Sequence, residues 1–573
     1  MERNLLKTMT REKAVMLGRR LSDLILQGVE ERSPFASDWK QNRNDYNDVP
    51  IPFASAYLQG YTDLPAPCAS PRANALSDYV LGAVLSQDPI VTTGIYASAE
   101  EARAVEKASS FFFEISGLHE VLKQGHASAW CTNHQILCST WNNDKQKFDY
   151  LHIQPECFVV AGCGFQTIDD SPLVGHSFVM RRMEIMATKG YVLPDSYIPG
   201  VSIWQNDSDA RQATSRPPTN GDEPCELWQV TVKVDLDGLK EGEPYDGKNE
   251  KSYIAVVDAQ AKEVLSLEEN PEEMSMYTVF GYLPAPEAGF WTQTSLGKRM
   301  QGPHRAYNYI TNLILSGSVM MAHPPVIMRG SMGSDENQNI TPGFAMQGAD
   351  ATTIAGQFNP SLLDVMLVRI ERDADSVSRI ASAGIAKPTG GRKTATEIEQ
   401  IAMGQDSSVT GYVATYSIGL ARLAEYQARI LRKKFDSWFG TYYQFFEDTP
   451  ALSAEAFDRC SLWDVPGKNP STNSAIQRRN LEGFAQTVVN LAQVDPNLIA
   501  NVNTTELMRL IAFNADIQNV ERVLNEQTQN PNAAQDQGLA PDDGGPGNGI
   551  MEGILAGLQG GMPGQGEQPE SAL

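Results

Sequence analysis

The stretch Lys387-Pro-Thr-Gly-Gly-Arg-Lys-Thr-Ala-Thr-Glu-Ile-Glu-Gln400 runs from a Gly-rich basic loop straight into the start of a helix. Thr394 and Glu397 have the T-x-x-E spacing of a capping box, with Thr at the N-cap and Glu three residues on. Thr396 and Glu399 offer a second register. The loop carries Lys387, Arg392 and Lys393 around Gly390 and Gly391, so a basic finger is pinned to a rigid element. Gly390-Gly-Arg-Lys-Thr394 also invites a nucleotide reading. A phosphate loop needs glycine immediately before its lysine, and a strand before the loop. Here Arg392 takes the glycine position, and residues 361–383 read as a helix. Both departures argue against ATP at this site.

Working outward, the chain of 573 residues is long enough for several domains, and 41% apolar residues can bury a large core. The formal net charge of −24 excludes DNA binding over a broad surface, because phosphate attraction needs clustered Lys and Arg. An acidic wall beside DNA remains compatible with a need to avoid sticking. Seven cysteines, an odd number in a large chain, fit reduced thiols in an intracellular setting better than a disulfide framework. No apolar run reaches the roughly 18 residues of a membrane span. The opening MERNLLKTMTREKAVMLGRR has no continuous apolar region, so no signal peptide is expected.

Periodicity then divides the chain. Residues 11–32 form an amphipathic helix with Leu17, Leu21, Leu24, Ile25 and Val29 on one face, followed by a loop to about residue 71. Residues 72–86 and 98–125 are again helical. The segments 127–141 and 147–160 read as strands joined by the turn Asn142-Asn-Asp-Lys145, with further strands at 174–182, 226–235, 252–267 and 276–284. An α+β body thus fills about residues 1–300, with an exposed polar loop at 204–224. A helix starts at Gly302-Pro303, where proline suits the first turn, and stops at His323-Pro-Pro325. A Gly-rich module of about 35 residues follows. Pro360 opens a helix to 383, and after the loop a long helix runs from about 394 to 439, interrupted or weakened at Gly404, Gly411 and Gly419. Residues 441–470 are mixed, two helices occupy 474–493 and 504–526, and the Lys- and Arg-free chain after Asn530 is expected to be disordered.

The catalytic and metal signals are thin. His126, Cys131, His134 and Cys138 lie close in sequence, but Cys131 and His134 on a strand point to opposite faces. Core cysteines and a surface histidine explain the same letters, so no metal site is expected. No G-x-S-x-G or kinase-type run occurs, and no catalytic residue or cofactor is expected. Glu371 and Asp375 read as helix-surface ion-pair partners of Arg372 and Arg379. Arg429, Arg432, Lys433 and Lys434 suit a helix C-terminus, with a salt bridge to a neighbouring subunit as the alternative.

Taken in order, the helix ending at His323-Pro-Pro325, the compact module, the second helix, the flexible loop and Thr394-Ala-Thr-Glu397-Ile resemble a portal protein of tailed phages, of the short-tailed type. The N-terminal WKQNRNDYNDVP and PRANALSDYVLGAVLSQDPI, and the two strands leading to Gln154-Pro-Glu-Cys-Phe-Val-Val160, are similar to the same family. The resemblance spans about residues 10–530. It implies a portal fold: an α+β wing (1–301), a first stem helix (302–323), a small α/β clip (324–359), a second stem helix (360–384), a tunnel loop (385–394), a long helix and wing continuation (395–470), a helical crown (471–530) and a disordered tail (531–573).

The resemblance further implies a homo-oligomeric ring, typically of twelve subunits, at one capsid vertex of the virion, assembled in the host cytoplasm and without membrane contact. Double-stranded genomic DNA would pass through its channel. The terminase large subunit, the packaging motor, would dock on the clip, and head–tail adaptor and tail proteins would bind there later. Major capsid and scaffold proteins would surround it. In that frame Lys387, Gly390, Gly391, Arg392 and Lys393 form the tunnel loop, Thr394 and Glu397 its hinge, and Arg329, Asp335, Glu336 and Asn337 the docking face of the clip. The tunnel loop is more basic than many in the family. The stem helix 302–323 has stripes of Tyr309, Leu313, Ser316 and Met320, and of Ile310, Ile314, Gly317 and Met321, wide enough for neighbours on two sides. Two other readings are another ring-shaped head–tail or tail protein of a phage, which leaves the element order unexplained, and a nucleotide-driven DNA enzyme, which needs a true phosphate loop and acidic metal ligands.

Overall fold

The computed structural model describes residues 4–50, 64–85, 89–94, 98–162, 168–188, 190–194, 197, 224–239, 245, 248–284, 289–292, 294–322, 326–329, 345–348, 352–353, 360–378, 395–447 and 449–465. All of them belong to the first of two compact units, Met1–Ile476. Of the polar loop expected at 204–224, residues 204–223 lie outside the described residues and Pro224 is already strand; the tunnel loop, both crown helices and the tail also lie outside them. The fold is α+β.

Helix α1 (Arg11–Tyr46) is longer than its apolar stripe. Leu17, Leu21 and Ile25 bury as the spacing expects, but the helix passes through Pro34, and residues 33–46 are not loop. Proline in a helix interior costs about 3 kcal/mol. Burial on both sides of it offsets that cost. Arg32 donates to the Phe158 carbonyl at 2.7 Å, Trp39 packs on Trp291 with ring centroids 5.2 Å apart, and Asn42 donates to the Cys131 carbonyl at 2.7 Å. The stripe therefore continues through polar and aromatic residues, which an apolar count does not see.

After α1 come α2 (Ala69–Leu85), β1 (Thr92–Gly94), α3 (Ala99–Ile115) and α4 (Leu118–Thr132). The Ser98–Glu101 capping box starts α3. Residues 127–132, expected as strand, complete α4; the chain turns at Asn133, whose φ is +62°, and β2 is Gln135–Asn142. An unbroken apolar run fits a buried helix and a buried strand equally well, and here burial on all sides hid the helical period. The hairpin of β2 with β3 (Lys147–Ile153) follows the expected turn, with Asn142 Oδ1 accepting from the amides of Asp144 and Lys145, each at 3.0 Å.

Strands β4 (Phe158–Ala161), β5 (Leu173–Arg181), β6 (Pro224–Val234), β7 (Lys251–Asp258) and β8 (Glu263–Glu269) form an antiparallel meander in that order. The short helix α5 (Arg182–Ala187) follows β5. The segment expected as one strand at 252–267 is thus a hairpin, turned at Lys262 with φ +55°. Leu17, Leu21 and Ile25 of α1 meet Val159, Val230 and Val257 of this sheet in one core. Strand β9 (Tyr277–Phe280) joins β2 and β3 in a second sheet.

Helix α6 (Leu296–Ala322) starts two turns before the expected Gly302. Ser295 Oγ accepts from the Lys298 amide at 3.0 Å and Leu296 and Met300 are buried, so the first two turns are held before Pro303 is reached. Strands β10 (Val326–Arg329), β11 (Ala345–Gly348) and β12 (Thr352–Thr353) make a small sheet, parallel between β10 and β11 and antiparallel between β10 and β12. Helix α7 (Pro360–Ser378) begins at the expected proline.

Helix α8 (Ala395–Lys433) is continuous through Gly404, Gly411 and Gly419, so none of the three interrupts it, and it gives way at Lys434 to α9 (Phe435–Tyr442). Helix α10 (Ala454–Arg459) and β13 (Ser461–Asp464), paired with β1, close the described chain. Tyr412, Tyr416, Leu420 and Leu423 of α8 share a core with Leu76 and Val80 of α2, Trp130 of α4 and Phe280 of β9. Arg422 fixes the register of α8 with a two-bond grip on Asp169 at 2.7 and 2.9 Å.

The glycines of α8 differ in what surrounds them. A Cβ at Gly419 would sit 2.6 Å from Phe280 Cδ1 and 2.8 Å from the Val279 carbonyl, whereas one at Gly411 would meet nothing within 4 Å. Gly411→Ala is therefore expected to stabilise the protein by about 0.5–1 kcal/mol through helix propensity. Gly419→Ala is expected to destabilise it by about 1–3 kcal/mol through overpacking. Urea midpoints moving in the same direction for both variants would contradict this.

Candidate assembly hairpin

Helices α6 and α7 pack on each other, with the β10–β12 sheet between them in sequence. Both carry large apolar side chains at exposed positions. On α6 the buried positions His304, Asn308, Asn312 and Ser316 recur every four residues and are all polar. The exposed positions include Leu315, Val319 (45% exposed) and Met321 (61%), and on α7 Val365 (67%) and Met366 (45%). Of the stripes read from sequence, Ile310 and Ser316 are buried, Leu313, Ile314 and Gly317 half-buried, and Tyr309 and Met321 exposed. Large apolar side chains left exposed along a pair of helices mark a place where another surface docks.

The root of the hairpin is held by polar groups. Arg72, in the first turn of α2, is buried at 7% exposure. Its Nε and Nη2 donate to Asp375 Oδ1 on α7, at 2.8 and 2.7 Å. Nη1 donates to the Cys68 carbonyl at 2.9 Å and Nη2 also reaches the Glu371 carbonyl at 3.4 Å. Asp375 thus pairs with Arg72, where the spacing pointed to Arg372 and to Arg379, the latter outside the described residues. Its partner lies 303 residues away, beyond the reach of periodicity. The available signal was Arg72 itself, which falls on the buried stripe of Ala69, Ala73, Leu76 and Val80. On the other helix, Asn308 and Asn312 bond the backbone of residues 64–66.

Burial sets the protonation of the neighbours. It pushes the Cys68 thiol up to about 11, with Arg72 opposing only in part. It lowers His304 from its ordinary value, against the pull of Asp45 and Asp48 and helped by Arg305. At neutral pH both groups are uncharged, so the ionic interaction at the root is that of Arg72 with Asp375.

The other residues singled out by sequence fall as follows. Arg329 ends β10 opposite Gly348; Asp335, Glu336 and Asn337 lie outside the described residues. So do Lys387, Gly390, Gly391, Arg392, Lys393 and Thr394. Glu397 is in the first turn of α8, which begins at Ala395, one residue after the position the capping spacing assigns to the N-cap. Cys131 lies on α4 and Cys138 on β2, not on one strand, and the ring nitrogens of buried His134 face the Thr132 and Phe290 carbonyls at 2.8 and 2.9 Å. Among the described residues no group of three His, Cys, Asp or Glu is arranged to hold a metal, and no helix is long and apolar enough to cross a membrane. The basic end of α8 pairs within the chain, Arg429 with Glu425 and Arg432 with Asp458, each at 2.8 Å, and Lys433 with Glu272 at 3.7 Å. No protein-family model matches this chain, and no curated protein matches it.

Removing one partner of a buried ion pair strands the other charge. Asp375→Leu is thus expected to destabilise the protein by about 3 kcal/mol, whereas Arg72→Leu/Asp375→Leu recovers a large part of the loss. Denaturant unfolding of Arg72→Leu, Asp375→Leu and the double variant checks this. A double variant as unstable as the sum of the singles would rule out the pairing as the anchor.

Proposed function

We propose that the chain is the subunit of a phage portal, a structural ring at one capsid vertex. The observation that carries this reading is the hairpin: a helix, a small sheet, a returning helix and then a long helix, with large apolar side chains left exposed on both helices of the pair. A solitary subunit leaves Leu315, Val319, Met321, Val365 and Met366 in water. Burying each against a neighbour contributes on the order of 1 kcal/mol or more. A ring repeats that contact at every interface, and a head-to-tail contact that closes makes a ring.

In this reading α6 and α7 are the stem and the β10–β12 sheet belongs to the clip, where the packaging motor docks first and tail adaptors later. Scaffold and capsid proteins contact the outside. The chain does no chemistry; it is a channel for duplex DNA on entry and exit. The net charge of −24 per subunit, multiplied around a ring, keeps phosphates from adhering. Lys387, Arg392 and Lys393 then form a narrow basic ring of weak, salt-sensitive phosphate contacts. Thr394 and Glu397 cap the helix on which that finger turns.

Negative-stain imaging of the purified protein is expected to show rings with a central channel, and Val365→Asp/Met366→Asp is expected to leave a folded subunit that no longer forms them. A monomeric wild-type protein with ATPase activity would sink the portal reading. For the loop, Arg392→Ala/Lys393→Ala is expected to leave rings intact while lowering the yield of packaged genome. Unchanged packaging and retention in that variant would show that the loop's charge is irrelevant to DNA.

A further inference from the structure

The sequence Leu-Pro-Ala-Pro occurs twice, at 64–67 and at 283–286. In the first copy the two residues that carry an amide hydrogen, Leu64 and Ala66, are both read by α6. The Leu64 amide donates to Asn312 Oδ1 at 3.1 Å, and Asn312 Nδ2 donates back to the Leu64 carbonyl at 3.0 Å. The Ala66 amide donates to Asn308 Oδ1 at 2.7 Å, and Asn308 Nδ2 donates back to the Ala66 carbonyl at 3.1 Å. Each carboxamide closes a two-bond ring on one residue of the strap. In the second copy Asn133 does the same to Leu283, accepting from its amide at 2.9 Å and donating to its carbonyl at 2.6 Å. Ala285 and Pro286 lie outside the described residues.

The geometry explains the spacing. Four residues of α-helix rise about 6.0 Å, and two residues of a polyproline-type strand about 6.2 Å. Asparagines at i and i+4 on a helix therefore match alternate residues of such a strand. Proline supplies what the match needs. Pro65 and Pro67 have no amide hydrogen, so the positions between the reading groups leave no donor unsatisfied. Each also drives the residue before it, Leu64 and Ala66, toward the extended region. Side-chain packing cannot account for the hold, because Leu64 is 50% exposed and both prolines are exposed. Ala66 offers one methyl group. The carboxamides do the holding, and both Asn308 and Asn312 are 4% exposed.

We infer that Asn308 and Asn312 form a backbone-reading site for an x-Pro-x-Pro strap, filled in cis by Leu64–Pro67, and that this latch fastens α6 to the start of α2. The strap runs directly into Cys68 and Arg72, and Arg72 grips α7. Latch and ion pair together attach both helices of the hairpin to one point of the body. Opening the latch frees α6 to tilt while α7 stays gripped. The inference does not depend on the portal reading.

Hydrogen exchange of the full-length protein, followed on peptides spanning residues 60–68, tests it. In Asn308→Ala/Asn312→Ala the Leu64 and Ala66 amides are expected to exchange about tenfold or more faster, since each loses its acceptor, while amides in the β4–β8 sheet keep their protection. Ala66→Ser keeps the amide and is expected to behave as wild type. Ala66→Pro removes it and is expected to deprotect Leu64. Unchanged exchange at Leu64 and Ala66 in the double variant would overturn the inference. So would an Ala66→Ser variant as disruptive as Ala66→Pro, because the strap would then be held by its side chains. If the double asparagine variant does not fold, the contrast between the two Ala66 variants decides alone.

Discussion

A guanidinium buried among apolar residues is tolerated only when its charge is matched and its donors are used. Arg72 meets that condition only if α7 is docked with Asp375 against the first turn of α2. The same turn is reached through the strap that α6 holds with two asparagines. The position of the hairpin on the body is therefore set by directional bonds at one corner of the fold. Apolar burial elsewhere supplies most of the stability but is non-directional. The polar corner determines where the two helices leave the body.

The latch also bears on where the hairpin can meet other chains. Leu315 and Val319 lie seven residues beyond Asn308 and Asn312, on the same helix face, so the stripe that bonds the strap continues into exposed apolar groups. One stretch of the helix is held to its own chain by hydrogen bonds, and the next offers apolar contact to another. Polar anchoring fixes the geometry before assembly, so a neighbour meets a preorganised surface and loses less entropy on docking.

Much of the fold was legible in the sequence where apolar spacing was undisturbed: α2, the turn at Asn142, β5, β6, the start of α7 and the course of α8 all follow from it. What was missed shares one cause. Around and beyond Pro34 the buried stripe of α1 continues as Arg32, Trp39 and Asn42, and their partners are at Phe158, Trp291 and Cys131, some ninety residues away or more. The first two turns of α6 depend on Ser295 and on packing against α1 and α4, where a Cβ at Gly297 would lie 3.1 Å from Asn42 and 3.2 Å from Cys131. Asp375 looked solvated because its partner is on another helix. Of the residues read as channel and docking sites, only Arg329 and Glu397 fall on described elements. The reading of the loop rests on composition and on the cap that follows it.

The asparagine row shows which signal could have carried the reading further. Asparagine in the middle of a helix competes with it for backbone bonds, and Asn308 and Asn312 both sit there. That competition is what the site uses: a short carboxamide offers a backbone segment the donor and acceptor that a neighbouring strand would give. The complementary mark is Leu-Pro-Ala-Pro, which removes every second donor from the segment to be read. A helix with N-x-x-x-N and a strap with x-Pro-x-Pro are each unremarkable alone. Found in one chain, they predict a contact between elements more than 240 residues apart, because each supplies what the other's chemistry lacks.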